Sequence, residues 1–335
     1  MKNVFFALLA VLMLAGILTG CANRSEMPTV TATPAGSQAE SAADEKIRIV
    51  TTIFPEYDWV REILGDKADS AEITMLLDNG VDLHSYQPTA DDIVKLSVCD
   101  LFVYVGGESD EWVEDALKSA ANKDRKVINL LEILGDSVKE EETVEGMQEE
   151  EEDHEEKEYD EHVWLSLKNA KTLVGAISAA LQELDPHNKD AYAANADAYG
   201  QKLSALDAEY QKAVSAGTYR TLLFGDRFPF RYLVDDYGLS YYAAFAGCSA
   251  ESEASFETVS FLARKVDEGK LPCVLTIEGK NHKIAETIVQ NTAGKNQKVL
   301  TMDSMQSTTS QDVAGGTTYL SLMEKNLDVL KEALG

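Results

Sequence analysis

Thiols are scarce in this sequence: its 335 residues hold four cysteines, Cys21, Cys99, Cys248 and Cys273, and no Cys-x-x-Cys pair. That excludes a disulfide-dense scaffold and argues against a thiolate zinc finger or a thioredoxin-type site. Positive charge is short as well. Lys and Arg number 30 against 58 Asp and Glu, a formal net charge of −28. Such a chain is repelled by phosphate backbones and anionic membrane surfaces, so nucleic acid is excluded as a partner and cations are favoured. Beyond residue 18 no run is apolar enough to span a bilayer. Neither a Gly-x-x-x-x-Gly-Lys-Ser/Thr phosphate loop nor a His-Glu-x-x-His motif occurs. What is present is an apolar fraction of 44%, enough for a real core, and a length suited to about two domains.

The chain opens with Met1-Lys2-Asn3 and then runs apolar from Val4 to about Leu18. A basic start and a short apolar stretch form a secretory leader rather than a spanning helix. The stretch stops at Leu18-Thr19-Gly20-Cys21, which resembles the lipobox of bacterial lipoproteins, with Cys21 as the lipid-bearing residue. Residues 21–44 are rich in Ser, Thr, Ala and Pro and read as a flexible tether.

From residue 45 the sequence alternates strands and helices. Ile47–Thr52, Ala71–Leu76, Leu101–Val105 and Val127–Leu130 read as strands, separated by helical patterns around Trp59 and over residues 90–96. About 45 residues of Ala-rich helical pattern follow, then the rhythm resumes from Tyr219 to a closing helix at Leu320–Leu334. The fold class expected is α/β: two α/β lobes, each with a mostly parallel sheet, joined by a long linking helix. The expected organisation is a signal peptide (1–20), a tether (21–44), a first metal-binding lobe (45–169), linking helices (170–215) and a second metal-binding lobe (216–335). In such folds ligands lie beyond the carboxyl ends of strands. No internal sequence repeat is evident.

Residues 140–161 are dominated by Glu and Asp, with His154 inside and His162 just after. Charge of that density cannot pack, so a disordered, cation-enriching loop is expected. Of five histidines, His187 and His282 read as turn and helix-start residues. His84 stands in a strand-end loop, Asp82-Leu83-His84-Ser85-Tyr86-Gln87-Pro88-Thr89. His162 stands where the acidic run re-enters ordered structure, Asp160-Glu161-His162-Val163-Trp164-Leu165-Ser166-Leu167-Lys168-Asn169-Ala170.

Both segments resemble the substrate-binding lipoproteins of zinc and manganese ABC importers. The motifs of that family are Asp-Pro-His-x-Tyr-x-Pro-Thr and Asp-x-His-x-Trp-Leu-Ser/Asp-Pro-x-Asn-Ala, and Leu167 replaces the proline of the second motif here. The resemblance covers essentially the whole mature chain. It implies an interlobe metal site with His84 and His162 as ligands and Asp303, in Leu300-Thr301-Met302-Asp303-Ser304, as a carboxylate ligand. At the third position the family has His or Glu. Here Arg227 takes that register and the nearest acid is Asp226, which either ligates, caps the following helix or pairs with Arg227. Glu278, Glu251 and Glu253 are further carboxylates able to support or substitute. Cys248 is an alternative ligand, and Cys248 with Cys273 is the one plausible disulfide.

Two imidazoles and two carboxylates suit zinc, with manganese as the alternative. The implied role is an extracytoplasmic, lipid-anchored, monomeric binding protein, not an enzyme. It would deliver its ion to an ABC permease driven by a separate ATPase subunit. A metal-dependent surface adhesin and a metallohydrolase are the competing classes.

Overall fold

The computed structural model describes residues 46–148, 158–249, 253–279 and 281–335. The leader, the tether and Cys21 lie outside the described residues, as do His154 and Glu251.

The first sheet is built from β1 (Ile47–Thr51), β2 (Ala71–Met75), β3 (Leu101–Tyr104) and β4 (Lys126–Asn129), in the order β2-β1-β3-β4. All three pairings are parallel. Between the strands run α1 (Phe54–Leu64), α2 (Ala90–Val98) and α3 (Trp112–Ser119), with α4 (Leu130–Leu134) after β4. Pro55 sits in the first turn of α1, where its missing N–H has no role to fill. Thr89 and Asp92 form a capping box on α2. β4 ends one residue earlier than expected, because the Asn129 side chain caps α4 by accepting from the Glu132 N–H.

Two helices follow, α5 (Leu167–Leu184) and α6 (Lys189–Ala216). The 28 residues of α6 span about 42 Å. Its buried stripe of Tyr192, Tyr199, Leu203, Leu206, Tyr210 and Val214 recurs at helical spacing, which accounts for so long an element. It packs on α1 at one end and reaches the second lobe at the other.

That lobe holds β5 (Thr221–Arg227), α7 (Arg231–Tyr237), β6 (Ser240–Phe245), α8 (Phe256–Gly269), β7 (Cys273–Ile277), α9 (Lys283–Asn291) and β8 (Lys298–Met302). Its sheet is parallel with order β6-β5-β7-β8. Counted from each lobe's first strand, this is the strand order of the first sheet, so the two lobes share a topology that leaves no trace as a sequence repeat. The chain closes with α10 (Ser310–Ala314) and α11 (Tyr319–Leu334).

Helix α11 does not stay in its own lobe. The Tyr319 N–H donates to Asp58 Oδ2 at 2.9 Å, the Tyr319 hydroxyl to the Trp164 carbonyl at 2.6 Å, and the Tyr210 hydroxyl to the Met323 carbonyl at 2.6 Å. One apolar core accordingly runs from the first sheet through α5 and α6 to the inner face of the second sheet. A smaller core of Leu223, Phe245, Leu262, Val266, Val274 and Ile288 fills the outer face under α8 and α9. No helix among the described residues is long and apolar enough to cross a membrane.

Two expectations are corrected. The acidic run is fixed at both ends: Glu140 pairs with Tyr159 in an antiparallel bridge, and the Glu141 and Asp160 N–H groups donate to the carbonyls of Glu158 and Lys139. Asp160 and Glu161 are buried, because each carboxylate has a specific polar partner, as shown below. Cys248 and Cys273 are both free. Cys248 follows the carboxyl end of β6 whereas Cys273 starts β7, and in a parallel sheet those positions are at opposite edges.

Candidate metal centre

The carboxyl ends of both sheets face one cleft, and the motif residues sit on the loops that leave them. After β2, the Asp82 carboxylate accepts the His84 N–H at 3.1 Å. Ahead of α5, the Asp160 carboxylate accepts the His162 N–H at 2.9 Å. The same Asp-x-His turn therefore fixes both histidines, one from each side of the first lobe.

The two rings meet at their Nε2 atoms, 3.1 Å apart. Each ring is held from behind through Nδ1. For His84, Nδ1 lies 2.8 Å from Ser109 Oγ and 3.4 Å from Glu161 Oε2. For His162, Nδ1 lies 3.1 Å from Asp160 Oδ1. A proton on each Nδ1 is accepted by Ser109 Oγ and Asp160 Oδ1, with Glu161 Oε2 close by but without a hydrogen-bond partner among the described residues, and leaves both Nε2 lone pairs directed into the same space. Carboxylate-backed imidazoles of this kind are the usual second layer of a metal site.

Burial sets the electrostatics. It pushes His84 down to about 3, helped by the neighbouring His162, so the ring is neutral at ordinary pH. Burial raises Glu161 to about 7 against the opposing hydrogen bonds from Ser109. The Glu161 carboxylate occupies space that a Cβ on Gly107 would invade at 2.3 Å, and Gly107 has φ +82°. A glycine is therefore required there on two counts.

The second lobe contributes Cys248. Its sulfur and the nearer ring nitrogens of His84 and His162 all lie within 4.8 Å of one another. The loop carrying it is pressed onto His162, since a Cβ on Gly247 would stand 3.2 Å from the ring's Nδ1 and Cε1. The Glu141 carboxylate accepts the Cys248 N–H at 2.9 Å. Burial, then the charges of Glu141, Asp160 and Glu161, raise the thiol well above its ordinary value. Gln306 adds a carboxamide, with Nε2 3.2 Å from His162 Nε2 and Oε1 buried and unpartnered among the described residues.

The expected carboxylates are placed differently. Asp226 ends β5, but its carboxylate accepts from Thr276 Oγ1, the Ile277 N–H and the Arg227 N–H. Asp303 accepts the Met305 N–H at 2.8 Å as a turn residue. Burial and the charge of Glu278 push Asp303 up to about 7. Glu278 accepts from the Ser304 N–H and hydroxyl and from the Gln306 N–H. Glu253 is exposed. None of these four joins the His84–His162–Cys248 cluster. Arg227 reaches across the cleft instead and pairs with Asp82. Burial would raise Asp82, but the Arg227 guanidinium holds it below the ordinary carboxylate range. Beside the cluster lies a cavity of about 300 Å³ bordered by Asp82, His84, Arg227, Ser249 and Glu278.

Ser109, Glu161 and Gln306 were not legible as site residues. Glu161 alone carried a signal, its place inside the second histidine motif.

Comparison with known proteins places the whole fold in a family. The profile of the family described as zinc-uptake complex component A periplasmic matches residues 49–333. The zinc-binding lipoprotein AdcA of Streptococcus pneumoniae TIGR4 is 32% identical over 299 residues, covering 88% of this chain and 57% of AdcA. The chain thus spans little more than half of that relative. The high-affinity zinc uptake system protein ZnuA of Bacillus subtilis is 30% identical over 310 residues, covering 89% of this chain and 92% of ZnuA. The solved Zn(II)-bound ZnuA-like domain of S. pneumoniae AdcA superimposes with a TM-score of 0.68 at 30% identity, over 86% of this chain and 99% of that domain. By its sequence match from residue 49 to residue 333, its paired Asp-x-His turns and its two parallel-sheet lobes, the chain belongs to the family of the periplasmic component A of zinc-uptake complexes.

Proposed function

We propose that this chain is an extracytoplasmic solute-binding protein that captures zinc in the interlobe cleft and delivers it to an ABC permease powered by a separate ATPase subunit. The observation that carries the reading is the pair of imidazole Nε2 atoms 3.1 Å apart. Two nitrogens bound tetrahedrally to one zinc at 2.0–2.1 Å stand about 3.3 Å from each other. The rings are therefore spaced for a shared ion, and without one their lone pairs face each other unfavourably. The neutrality of His84 removes a proton competition that would otherwise oppose capture. Manganese is the alternative cargo, favoured only if oxygen ligands complete the shell. Asp226 and Asp303, at the ends of β5 and β8, are the carboxylates proposed to balance the ion's charge at the cleft wall.

The reading is of a binding protein rather than an enzyme, working as a monomer and held to the membrane through a lipid on Cys21. Lipidation is tested by metabolic labelling with a fatty acid, which Cys21→Ala should abolish. Cargo binding is tested by calorimetry of the metal-free protein with zinc and with manganese. One tight zinc site is expected, lost in both His84→Ala and His162→Ala. Tight zinc binding that survives both substitutions would place the ion elsewhere and refute the assignment.

A further inference from the structure

Resting on that reading of the cleft, the geometry points to Cys248 as the third protein ligand, so that the site is a two-nitrogen, one-sulfur centre that selects a thiophilic ion over manganese. Three observations converge on it. First, the three donor atoms lie within 4.8 Å of one another. A tetrahedral zinc with bonds of 2.3 Å to sulfur and 2.0–2.1 Å to nitrogen needs sulfur–nitrogen separations of about 3.6 Å. The 4.8 Å bound exceeds this by about 1.2 Å for whichever ring nitrogens face the sulfur, so the sulfur must close in as the ion binds. Second, the loop is shaped to bring the sulfur there. Gly247 lets the backbone ride against the His162 ring, and the Cys248 N–H is pinned by Glu141. Third, the carboxylates that would otherwise complete the shell are engaged elsewhere, Asp226 with Thr276 and Ile277 and Asp303 with the Met305 N–H.

Arg227 fits the same account. A guanidinium cannot donate a lone pair to a metal, and here it is spent on Asp82. The cleft wall thus loses one ligand and gains another from the next strand end, β6 instead of β5. The thiol gives up its proton to solvent when the ion binds, because a coordinated thiol is deprotonated by the metal itself. The resulting thiolate is a soft donor that suits zinc and is a poor partner for manganese.

Cobalt(II) is the probe, because a cobalt–thiolate bond gives an intense near-ultraviolet charge-transfer band that imidazole and carboxylate ligands lack. The metal-free purified protein is titrated with cobalt(II), and zinc and manganese affinities are measured by competition. The cobalt complex of the unaltered protein is expected to show the band. Cys248→Ser is expected to lose it while still binding cobalt, and to lose at least the ~10–100-fold in zinc affinity that removing an outer partner of a ligand costs. Manganese binding should change little, so the zinc preference narrows. A cobalt complex of the unaltered protein without the band overturns the thiolate ligand, whatever the variant does, and leaves the two-histidine cleft standing. A band that persists in Cys248→Ser assigns it to another cysteine and overturns it too. Failure of the unaltered protein to bind either cobalt or zinc overturns both this inference and the cleft reading beneath it.

Discussion

Replacing Asp58 by Asn should make the protein more stable at neutral pH and leave it nearly unchanged in acid. Asp58 is 2% exposed, and its Oδ2 accepts the Tyr319 N–H at 2.9 Å. Burial pushes its carboxyl from 3.8 up to about 6, with Glu62 adding to the effect and the Tyr319 hydrogen bond and Arg61 opposing it. The folded state therefore holds this proton more tightly than the unfolded chain. The group's contribution is greatest below pH 4 and is lost as pH rises through 4 to 6. At ~1.4 kcal/mol per pH unit, the two-unit displacement costs about 3 kcal/mol at pH 7. One effect works the other way. Tyr319 is the first residue of α11, and a helix N-terminus favours an anion by ~0.3–1 kcal/mol, up to ~2 in buried geometries. Asn keeps the oxygen acceptor and cannot ionise. Urea unfolding of the metal-free protein should then show a gain of about 1–3 kcal/mol for Asp58→Asn at pH 7.5, shrinking below ~1 kcal/mol at pH 4. A variant that is less stable at pH 7.5 yet equal at pH 4 would mean that the ionised carboxylate at the α11 N-terminus outweighs its burial. The reasoning would then fail.

Gly225→Ala should lower the melting temperature, because its Cβ would lie 2.5 Å from the Ala285 Cα in the backbone of α9; overpacking of this kind costs about 1–3 kcal/mol. Arg227→Ala frees Asp82 beside the histidines. Calorimetry should show zinc binding tightened by about 1 kcal/mol, roughly fivefold, through the added negative charge. Glu161→Gln retains an acceptor for the Ser109 N–H but removes the charge behind His84. It should weaken zinc binding by about 10–100-fold with an unchanged circular dichroism spectrum, and unaltered affinity would show that the carboxylate does not orient the ring.

Local features were read well from sequence alone. Ile47–Thr51 is β-branched and forms β1, Gly238 ends α7 with φ +64°, and the Asp-x-His turns act within three residues. Features made by distant pairing were not. Cys248, expected only as an alternative ligand, meets His162 because the β6 loop folds onto a segment far upstream. Asp160 and Glu161 were grouped with the acidic run because composition does not distinguish a solvated carboxylate from one that holds an imidazole. Asp303 and Asp226 stand at strand ends as expected, yet backbone N–H groups and Thr276 compete for their oxygens. The equal strand order of the lobes leaves no mark in the sequence, since topology survives where residue identity has diverged.

The return of α11 to Asp58, Trp164 and α6 makes the molecule one cooperative unit rather than two separable halves. Its removal would strip Tyr319 from Trp59, whose rings are 5.3 Å apart, and open the core of a lobe nearly the whole chain away. An expression fragment ending before Tyr319 should therefore be degraded or insoluble as a whole, including the part that carries both histidines. Proteases that nick the C-terminal helix would silence the proposed metal site without touching it.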